Sequence, residues 1–156
     1  MTLRTELVAA LPGDLFTVVG SDFIVVANNI YWDRMTRIRK QNTEITLIWG
    51  GRTLSSEIAG RLILSQINIE LFVGSSDLVV DPDRRIEDKM ETAARTIIEN
   101  YDNNNATIAA LTTCIVDSVR CFEKSAIDIV GPTPSDPRTK FTQQLGLEIL
   151  AWDGTG

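Results

Sequence analysis

Two stretches with the same pattern, "SQINIELFVG" at residues 65–74 and "TQQLGLEILAW" at residues 142–152, decide the fold class. In the first, Ile67, Ile69, Leu71 and Val73 alternate with Gln66, Asn68 and Glu70. In the second, Phe141, Leu145, Leu147, Ile149 and Ala151 share a face interrupted only by Gln143, opposite Thr142, Gln144, Gly146 and Glu148. Because side chains on a strand point to opposite faces with period two, each stretch predicts a strand with one apolar and one polar face. No longer repeat joins the two stretches, so they indicate two equivalent strands of one domain.

A long amphipathic helix is predicted between these strands, at residues 83–101. The sequence "DPD" at residues 81–83 offers a capping carboxylate and a proline suited to a first turn. An apolar stripe follows at helical spacing, formed by Ile86, Met90, Ala93, Ala94, Ile97, Ile98 and Tyr101. The Asn-rich "NYDNNN" ends the helix, and residues 107–114 predict one or two further helical turns. A strand, "IVDSVRCF", and a proline-rich turn or exposed loop, "GPTPSDPRT", lead to the final strand.

The N-terminal third is predicted to be a short helix and a hairpin. Residues 3–10 fit a helix that Pro12 and Gly13 end, and two β-branched runs flank a glycine turn at residues 20–22. Residues 30–42 fit either an irregular loop or a short helix. The stretch "EITLIWGG" predicts a strand that Gly50 and Gly51 break, with a polar connection over residues 52–57.

This order of elements predicts an α+β fold. We expect an antiparallel or mixed β-sheet with one long helix and short helices packed on one face, because the long strands each have one apolar side to cover. A chain of 156 residues has the length of a single domain, here residues 1–156, with residues 1–43 as an N-terminal helix and hairpin extension.

Composition excludes several classes of protein. A net charge of −6 argues against a dedicated nucleic-acid binder. The basic cluster of Arg34, Arg37, Arg39 and Lys40 fits a solvated surface, or else a contact with phosphate or an acidic partner. Two cysteines and no histidine form neither a disulfide framework nor a zinc site, and the cysteines are expected to be small buried side chains in a reducing cytosol. No apolar run reaches membrane-spanning length, so a soluble chain is expected.

Catalytic and cofactor motifs are absent from the sequence. Without histidine the commonest general base is missing, and nothing near either cysteine would activate its thiol. The acidic stretch "DPDRRIED" at residues 81–88 could hold a divalent ion, but carboxylates stabilised at a helix N-terminus are the simpler interpretation. The glycine turns match neither a phosphate loop nor a dinucleotide fingerprint. We therefore expect no enzymatic activity, no cofactor and no metal.

The order of elements over residues 44–152 resembles the tail-terminator (tail-completion) proteins and related neck proteins of long-tailed bacteriophages. The matching elements are the strands "ITLIWGG" and "RLILSQINIELFVG", the long helix "RIEDKMETAARTIIENY", the strand "IVDSVRCFE" and the final strand "KFTQQLGLEILAW". The resemblance implies a virion structural protein that forms a ring, commonly a hexamer, which caps the tail tube and joins it to the head. It also implies tail-tube and head-completion or connector proteins as partners, DNA only as passing cargo, and assembly in the host cytoplasm.

Three irregular or basic segments are predicted to form the subunit or partner interface. They contribute Arg34, Arg37, Arg39, Lys40, Gly50, Gly51, Arg52, Arg138 and Lys140. The arginines of residues 34–39 could pair across a junction with the acidic residues 81–88. The polar faces of the two long strands could line a lumen or a neighbour contact, or could simply face solvent. Another phage ring or adaptor, a small enzyme with an unrecognised site and a regulatory binding module remain as alternatives.

Overall fold

The computed structural model describes residues 2–23, 29–32, 43–54, 62–75, 85–103 and 105–153. The described helices are α1 (Leu3–Phe23), α2 (Arg85–Tyr101) and α3 (Ala106–Ala109). The described strands are β1 (Ile30–Trp32), β2 (Thr43–Leu54), β3 (Leu62–Ser75), β4 (Cys114–Glu123), β5 (Asp128–Val130) and β6 (Thr139–Asp153). Within these residues no helix is both long enough and apolar enough to span a membrane.

The described strands form one mixed sheet in the order β1-β2-β3-β6-β4, with β5 also paired to β6. Strand β1 is parallel to β2, and every other pair is antiparallel. Helix α2 packs on β4 and β6, and α1 packs on α2 and β1. The predicted α+β class is confirmed, because the helices cover the apolar side of a largely antiparallel sheet.

The pairing of β3 with β6 confirms that the two opening stretches are equivalent strands. Ile67 lies opposite Leu147 and Ile69 opposite Leu145, and all four side chains are buried under the helices. Gln143 also points to this inner face, where its amide nitrogen donates to Glu123 Oε1 at 2.8 Å. The inner face therefore forms the core.

Helix α2 confirms the predicted long helix, apart from residues 81–84, which lie outside the described residues. Its buried residues are Met90, Ala93, Ala94, Ile97 and Tyr101, while Ile86 and Ile98 are half-buried beside them. Helix α3 is shorter than predicted and is capped by Asn105, whose side-chain oxygen accepts from Ile108 N at 3.0 Å. The chain is already extended at Cys114, where it pairs with β6.

The prediction that Pro12 and Gly13 end the first helix was wrong. Helix α1 begins after Thr2, whose hydroxyl accepts from Thr5 N at 3.1 Å, and runs through Pro12 to Phe23. Leu7, Leu11, Leu15 and Val19 recur every four residues and are each at most 1% exposed. A proline inside a helix removes one hydrogen bond and crowds the preceding turn, but burial of this stripe outweighs that cost.

The predicted hairpin over residues 15–28 was wrong for the same reason. Residues 15–23 are helical, although their β-branched run is typical of a strand, and residues 24–28 lie outside the described residues. Tertiary packing of the buried stripe overrides the weak local preference for a strand. The described part of the N-terminal extension is thus a helix of 21 residues and strand β1, rather than a short helix and a hairpin. The prediction of an irregular loop or a short helix was wrong at Ile30–Trp32, which pair with β2, and residues 33–42 lie outside the described residues.

The prediction that Gly50 and Gly51 break their strand was also wrong. Trp49 pairs with Ile67 and Gly51 with Gln66, so Gly50 is the extra residue of a β-bulge. Gly51 has φ of 97°, which glycine adopts without the clash that a Cβ atom would cause. The strand therefore continues to Leu54 and includes residues 52–54 of the predicted polar connection, while residues 55–57 lie outside the described residues.

Candidate assembly surfaces

The outer face of the sheet has a row of paired polar side chains, which we call the outer ladder: Gln66, Asn68, Arg120, Lys124 and Glu148. Gln66 Nε2 donates to Glu148 Oε1 at 3.4 Å, and Arg120 Nη1 lies 3.8 Å from Glu148 Oε2. Lys124 Nζ donates to Asn68 Oδ1 at 2.9 Å. The outer ladder therefore crosses three neighbouring strands, β3, β6 and β4, and links them by hydrogen bonds and an ion pair between side chains.

An aromatic ring sits over a glycine beside the outer ladder. Phe122 on β4 pairs with Gly146 on β6, and a Cβ atom at Gly146 would lie 2.5 Å from Phe122 Cζ. The guanidinium carbon of Arg120 lies 4.6 Å from the centroid of the same ring. Only a residue without a side chain lets the end of the ring come this close to the strand.

Two of the predicted interface residues, Arg138 and Lys140, lie in the hairpin that joins β5 to β6. Asp136 accepts from Arg138 Nε and Nη2, each at 3.0 Å, and lies 3.3 Å from Lys140 Nζ. These cations and the backbone N–H of Arg138 hold the pKa of the Asp136 carboxyl well below its usual range. Arg138 also stacks on Phe72, at 5.6 Å from the ring centroid. The hairpin is therefore a compact, hydrogen-bonded turn with an exposed tip at residues 131–135.

The other predicted interface residues are distributed differently. Gly50 and Arg52 are exposed around the β2 bulge and Gly51 is half-exposed, whereas Arg34, Arg37, Arg39 and Lys40 lie outside the described residues. The predicted interface residues that the structure describes therefore form two separate groups, one at the bulge on β2 and one at the β5–β6 hairpin. Their role in assembly stays a prediction.

Carboxylates on α1 fasten that helix to the segment that follows α2. Glu6 accepts from Thr112 N at 2.8 Å and from Thr113 N at 2.9 Å, as well as from both threonine hydroxyls. These hydrogen bonds, chiefly those from Thr112 N and the Thr113 hydroxyl, lower the pKa of Glu6 from 4.5 to about 2. Asp14 accepts from the Tyr101 hydroxyl and, at 2.7 Å, from the Thr107 hydroxyl. No role was predicted for either carboxylate from the sequence, because their partners lie between 87 and 107 positions away along the chain.

The two cysteines are buried, as predicted. Burial is the main cause that raises the pKa of the Cys121 thiol to about 12, and Asp102 nearby adds to the shift. Burial likewise raises the pKa of the Cys114 thiol. Both thiols are therefore protonated at neutral pH, whereas a reactive cysteine needs its thiolate.

The edge of the sheet at β4 is covered in its middle and open on either side. Asn103 N donates to Val119 O at 2.9 Å, and Cys121 N donates to Asp102 Oδ1 at 3.1 Å. Upstream, a groove of about 320 Å³ runs between the α3 region and the first half of β4. Its lining includes Asn105, Ala109 and Leu111 on one side and residues 114–119 on the other. This edge was not predicted from the sequence, although β-branched pairs occur at residues 115–116 and 129–130.

The described acidic residues and cysteines do not converge on a metal site. Across the described part of the chain, no group of three histidine, cysteine, aspartate or glutamate side chains could hold a metal ion. Glu87 and Asp88 lie in the first turn of α2, where the helix dipole stabilises negative charge. Asp81 and Asp83 lie outside the described residues.

Comparison with known proteins finds no matching family model and no matching curated protein. Among solved structures, a chain of the virion of a native gene transfer agent (GTA) particle is similar, with a TM-score of 0.48 and 10% sequence identity. That match covers 93% of this chain and 95% of the other. A second solved structure has a TM-score of 0.44 and 15% identity, and the match covers 94% of each chain. Likeness at this level establishes neither a family nor a function.

Proposed function

We propose that this chain is a virion structural protein of a bacteriophage neck. It forms a ring, a hexamer by the resemblance, that terminates the tail tube and joins the tail to the head, and DNA passes through the ring. Its partners are other copies of itself, the tail-tube protein and the head-completion or connector proteins. The ring assembles in the host cytoplasm and remains in the virion.

The observation that carries this proposal is the order and pairing of elements from Thr43 to Asp153. Two long antiparallel strands are followed by a long helix, a short helix, an edge strand and a long final strand that returns beside β3. This is the order that the resemblance to tail terminators rests on, and all the strands lie in one sheet with the helices on one side. The order of elements in the described residues supports the proposal, because it is the order on which the resemblance was based.

The outer face of the sheet supports a role as a lining or contact surface. The polar side chains of β3 and β6 that alternate with the core all lie on this face, and Gln66 is exposed there. Its cations are interspersed with carboxylates and amides, as the outer ladder shows. A face of this kind holds phosphates less tightly than a continuous basic face, which suits the passage of DNA without strong binding.

The proposal includes a structural rather than enzymatic role, without cofactor or metal. Both thiols are held in the protonated form by burial. The half-buried carboxylate of Asp14 is engaged by side chains of the same chain, and Glu6 by backbone and hydroxyl groups. These two carboxylates thus form hydrogen bonds between α1 and more distant parts of the chain, which stabilise the fold.

Cryo-electron microscopy of the assembled virion tests this function. We expect density for the chain in a closed ring at the junction of head and tail. Particles produced without the chain should contain tail tubes of irregular length and heads that are not joined to tails. Localisation of the chain to the baseplate or to the head interior would contradict the proposal and favour another phage ring or adaptor.

A further inference from the structure

Two edges of the sheet are open at the same end of the molecule. On one side, β1 pairs only with residues 45–47 of β2, and within the described residues no strand lies beside residues 48–54. On the other side, the turn after α2 bonds Val119 and Cys121 of β4, while a groove of about 320 Å³ lies beside residues 114–118. An open strand edge offers backbone groups with which another strand can pair.

The backbone groups of both open halves point away from the sheet in a matching pattern. Hydrogen-bonded and non-hydrogen-bonded pairs alternate along an antiparallel ladder, and the carbonyl of Val119 points outward to the turn after α2. Counted across the sheet by its register, this alternation directs the N–H and C=O groups of Cys114 and Val116 outward at the β4 edge. It directs those of Arg52 and Leu54 outward at the β2 edge. Each edge therefore offers a pair of residues with the same spacing.

The strand directions let these edges meet in a ring. Strands β2, β3, β6 and β4 alternate in direction, so β4 runs opposite to β2. Copies in a closed ring are related by rotation about one axis. With that axis along the strands, β2 runs the same way in every copy, and β4 of one copy meets β2 of the next as an antiparallel pair. The side chains of Val116 and Arg52 lie on the inner face, opposite Ala151 and Ser65, so the helices stay on one side of the joined sheet.

The two open halves carry opposite charges. Arg52 is the only charged residue among residues 48–54, and Asp117 is the only one among residues 114–118. Both are exposed, and neither forms an ion pair within the described residues. A β2 edge therefore supplies the cation that Asp117 lacks, whereas a second β4 edge supplies none. This complementarity identifies a second copy, approaching through β2, as the occupant of the groove.

We propose that the open half of β4 pairs with the open half of β2 of the next copy in the ring. Cys114 lies opposite Leu54 of the next copy, Ile115 opposite Thr53, and Val116 opposite Arg52. Relative to the rows of one sheet, where Val116 is level with Leu54, the register is staggered, as closure of a sheet on itself requires. The pairing covers Ile115, which is 71% exposed, and brings Arg52 beside Asp117.

Both strands bend where the proposed pairing ends. One bulge lies between Trp49 and Gly51 of β2, and another lies between Val116 and Ser118 of β4. Because a bulge bends its strand, the two strands diverge beyond the contact and leave room for the turn after α2 and for β1 of the neighbour. Each copy uses two different edges, so this inference rests on the proposed function.

Disulfide trapping in the full chain tests the contact and its register. In the variant Thr53→Cys/Ile115→Cys, the two thiols of neighbouring copies face each other in a non-hydrogen-bonded pair, with Cα atoms about 4.5 Å apart. Within one chain, three strand spacings or about 14 Å separate the same positions, so no internal disulfide can form. Oxidised glutathione at about 100 µM protein, where micromolar contacts are occupied, should therefore give a ladder of linked chains on a non-reducing gel. The matched control, Val8→Cys/Ile115→Cys, moves one thiol to an exposed position on α1 and should stay largely unlinked.

Single variants and charge reversals sharpen this test. Thr53→Cys or Ile115→Cys alone should stay unlinked, and an equimolar mixture of the two should give linked dimers and nothing larger. Adding Arg52→Glu to the double cysteine variant should lower the linked fraction about fivefold, the loss expected for an exposed ion pair. Adding Asp117→Arg as well should restore it. All four positions are exposed, so the fold is retained, and thermal melts verify this.

Several outcomes would overturn the inference: a double cysteine variant that links no more than its control, efficient dimers of Ile115→Cys alone, a mixture that stays unlinked, or charge reversals without effect. Dimers of Ile115→Cys would indicate a two-fold contact between β4 edges instead. Imaging of virions separates this inference from the proposed function. Neck rings in which Thr53 and Ile115 of neighbouring copies lie far apart would overturn the contact and leave the function standing. Absence of the chain from the neck would overturn the function itself.

Discussion

The two faces of the β3–β6 pair, which have the same backbone, differ in what covers them. On the inner face, Ile69, Leu145 and Leu147 are fully buried beneath α1 and α2. On the outer face, Gln66, Glu148 and their neighbours meet each other at the surface. The inner face therefore supplies most of the stability, through burial of apolar area. The outer face is exposed around Gln66, although Glu44 and Phe72 are buried at its other end.

The largest expected effect comes from removing a side chain that α2 places on the inner face. Ile97 is 0% exposed, so Ile97→Ala leaves a cavity and should lower the free energy of unfolding by about 2–4 kcal/mol. Urea titration measures this loss, and Glu99→Ala, on the exposed side of the same helix, is the matched control. A loss below about 0.5 kcal/mol for Ile97→Ala would show that this helix does not cover the core.

A smaller effect is expected on the outer face, where Gly146→Ala pushes a methyl group into the Phe122 ring. The ring is half-buried and can swing outward, so we expect a loss of about 1–2 kcal/mol rather than unfolding. In the Phe122→Ala background the same substitution should cost nothing further, which a double-mutant cycle measures. Equal costs in both backgrounds would contradict the packing of ring on glycine.

Acid should weaken the hydrogen bonds by which Glu6 of α1 holds the segment that follows α2. The pKa of Glu6 is lowered from 4.5 to about 2 in the folded chain, so its contribution is present above pH 4.5 and is lost as pH falls toward 2. Because this carboxylate is near the surface, we expect a contribution of about 1 kcal/mol. Urea titrations of wild type and Glu6→Gln should converge between pH 4.5 and 2. A difference that persists at pH 2 would contradict this assignment.

The smallest effect is expected from the outer ladder. Glu148→Gln removes the charge that faces Arg120 across 3.8 Å, and the loss of stability should be about 0.5 kcal/mol or less because the arginine is exposed. In 1 M salt the difference between variant and wild type should vanish. A loss above about 2 kcal/mol would mean that the outer face also holds the fold together, and the contrast between the faces would fail.

The candidate surfaces were predictable only in part. The polar sides of β3 and β6 could be assigned from the sequence, and so could the exposed loop before the final strand, but strand β5 was not predicted. The sequence did not indicate that Arg138 stacks on Phe72 or that Asp136 holds both cations. Nor did it show that the turn at Asp102 and Asn103 covers the middle of the β4 edge. These features depend on residues that the fold brings together from distant positions.

The sequence alone determined the elements in which apolar residues recur with a regular period. Strands β3 and β6 and helix α2 were correctly placed, because periods of two and 3.6 residues specify which side chains share a face without reference to the rest of the chain. Tertiary structure decided where local signals and packing disagree. Helix α1 passes through Pro12 because Leu7, Leu11, Leu15 and Val19 gain more from burial against the helical layer and sheet than the proline costs. Strand β2 passes through Gly50 because its partner β3 continues beside it, and a bulge preserves the pairing that an isolated double glycine would end.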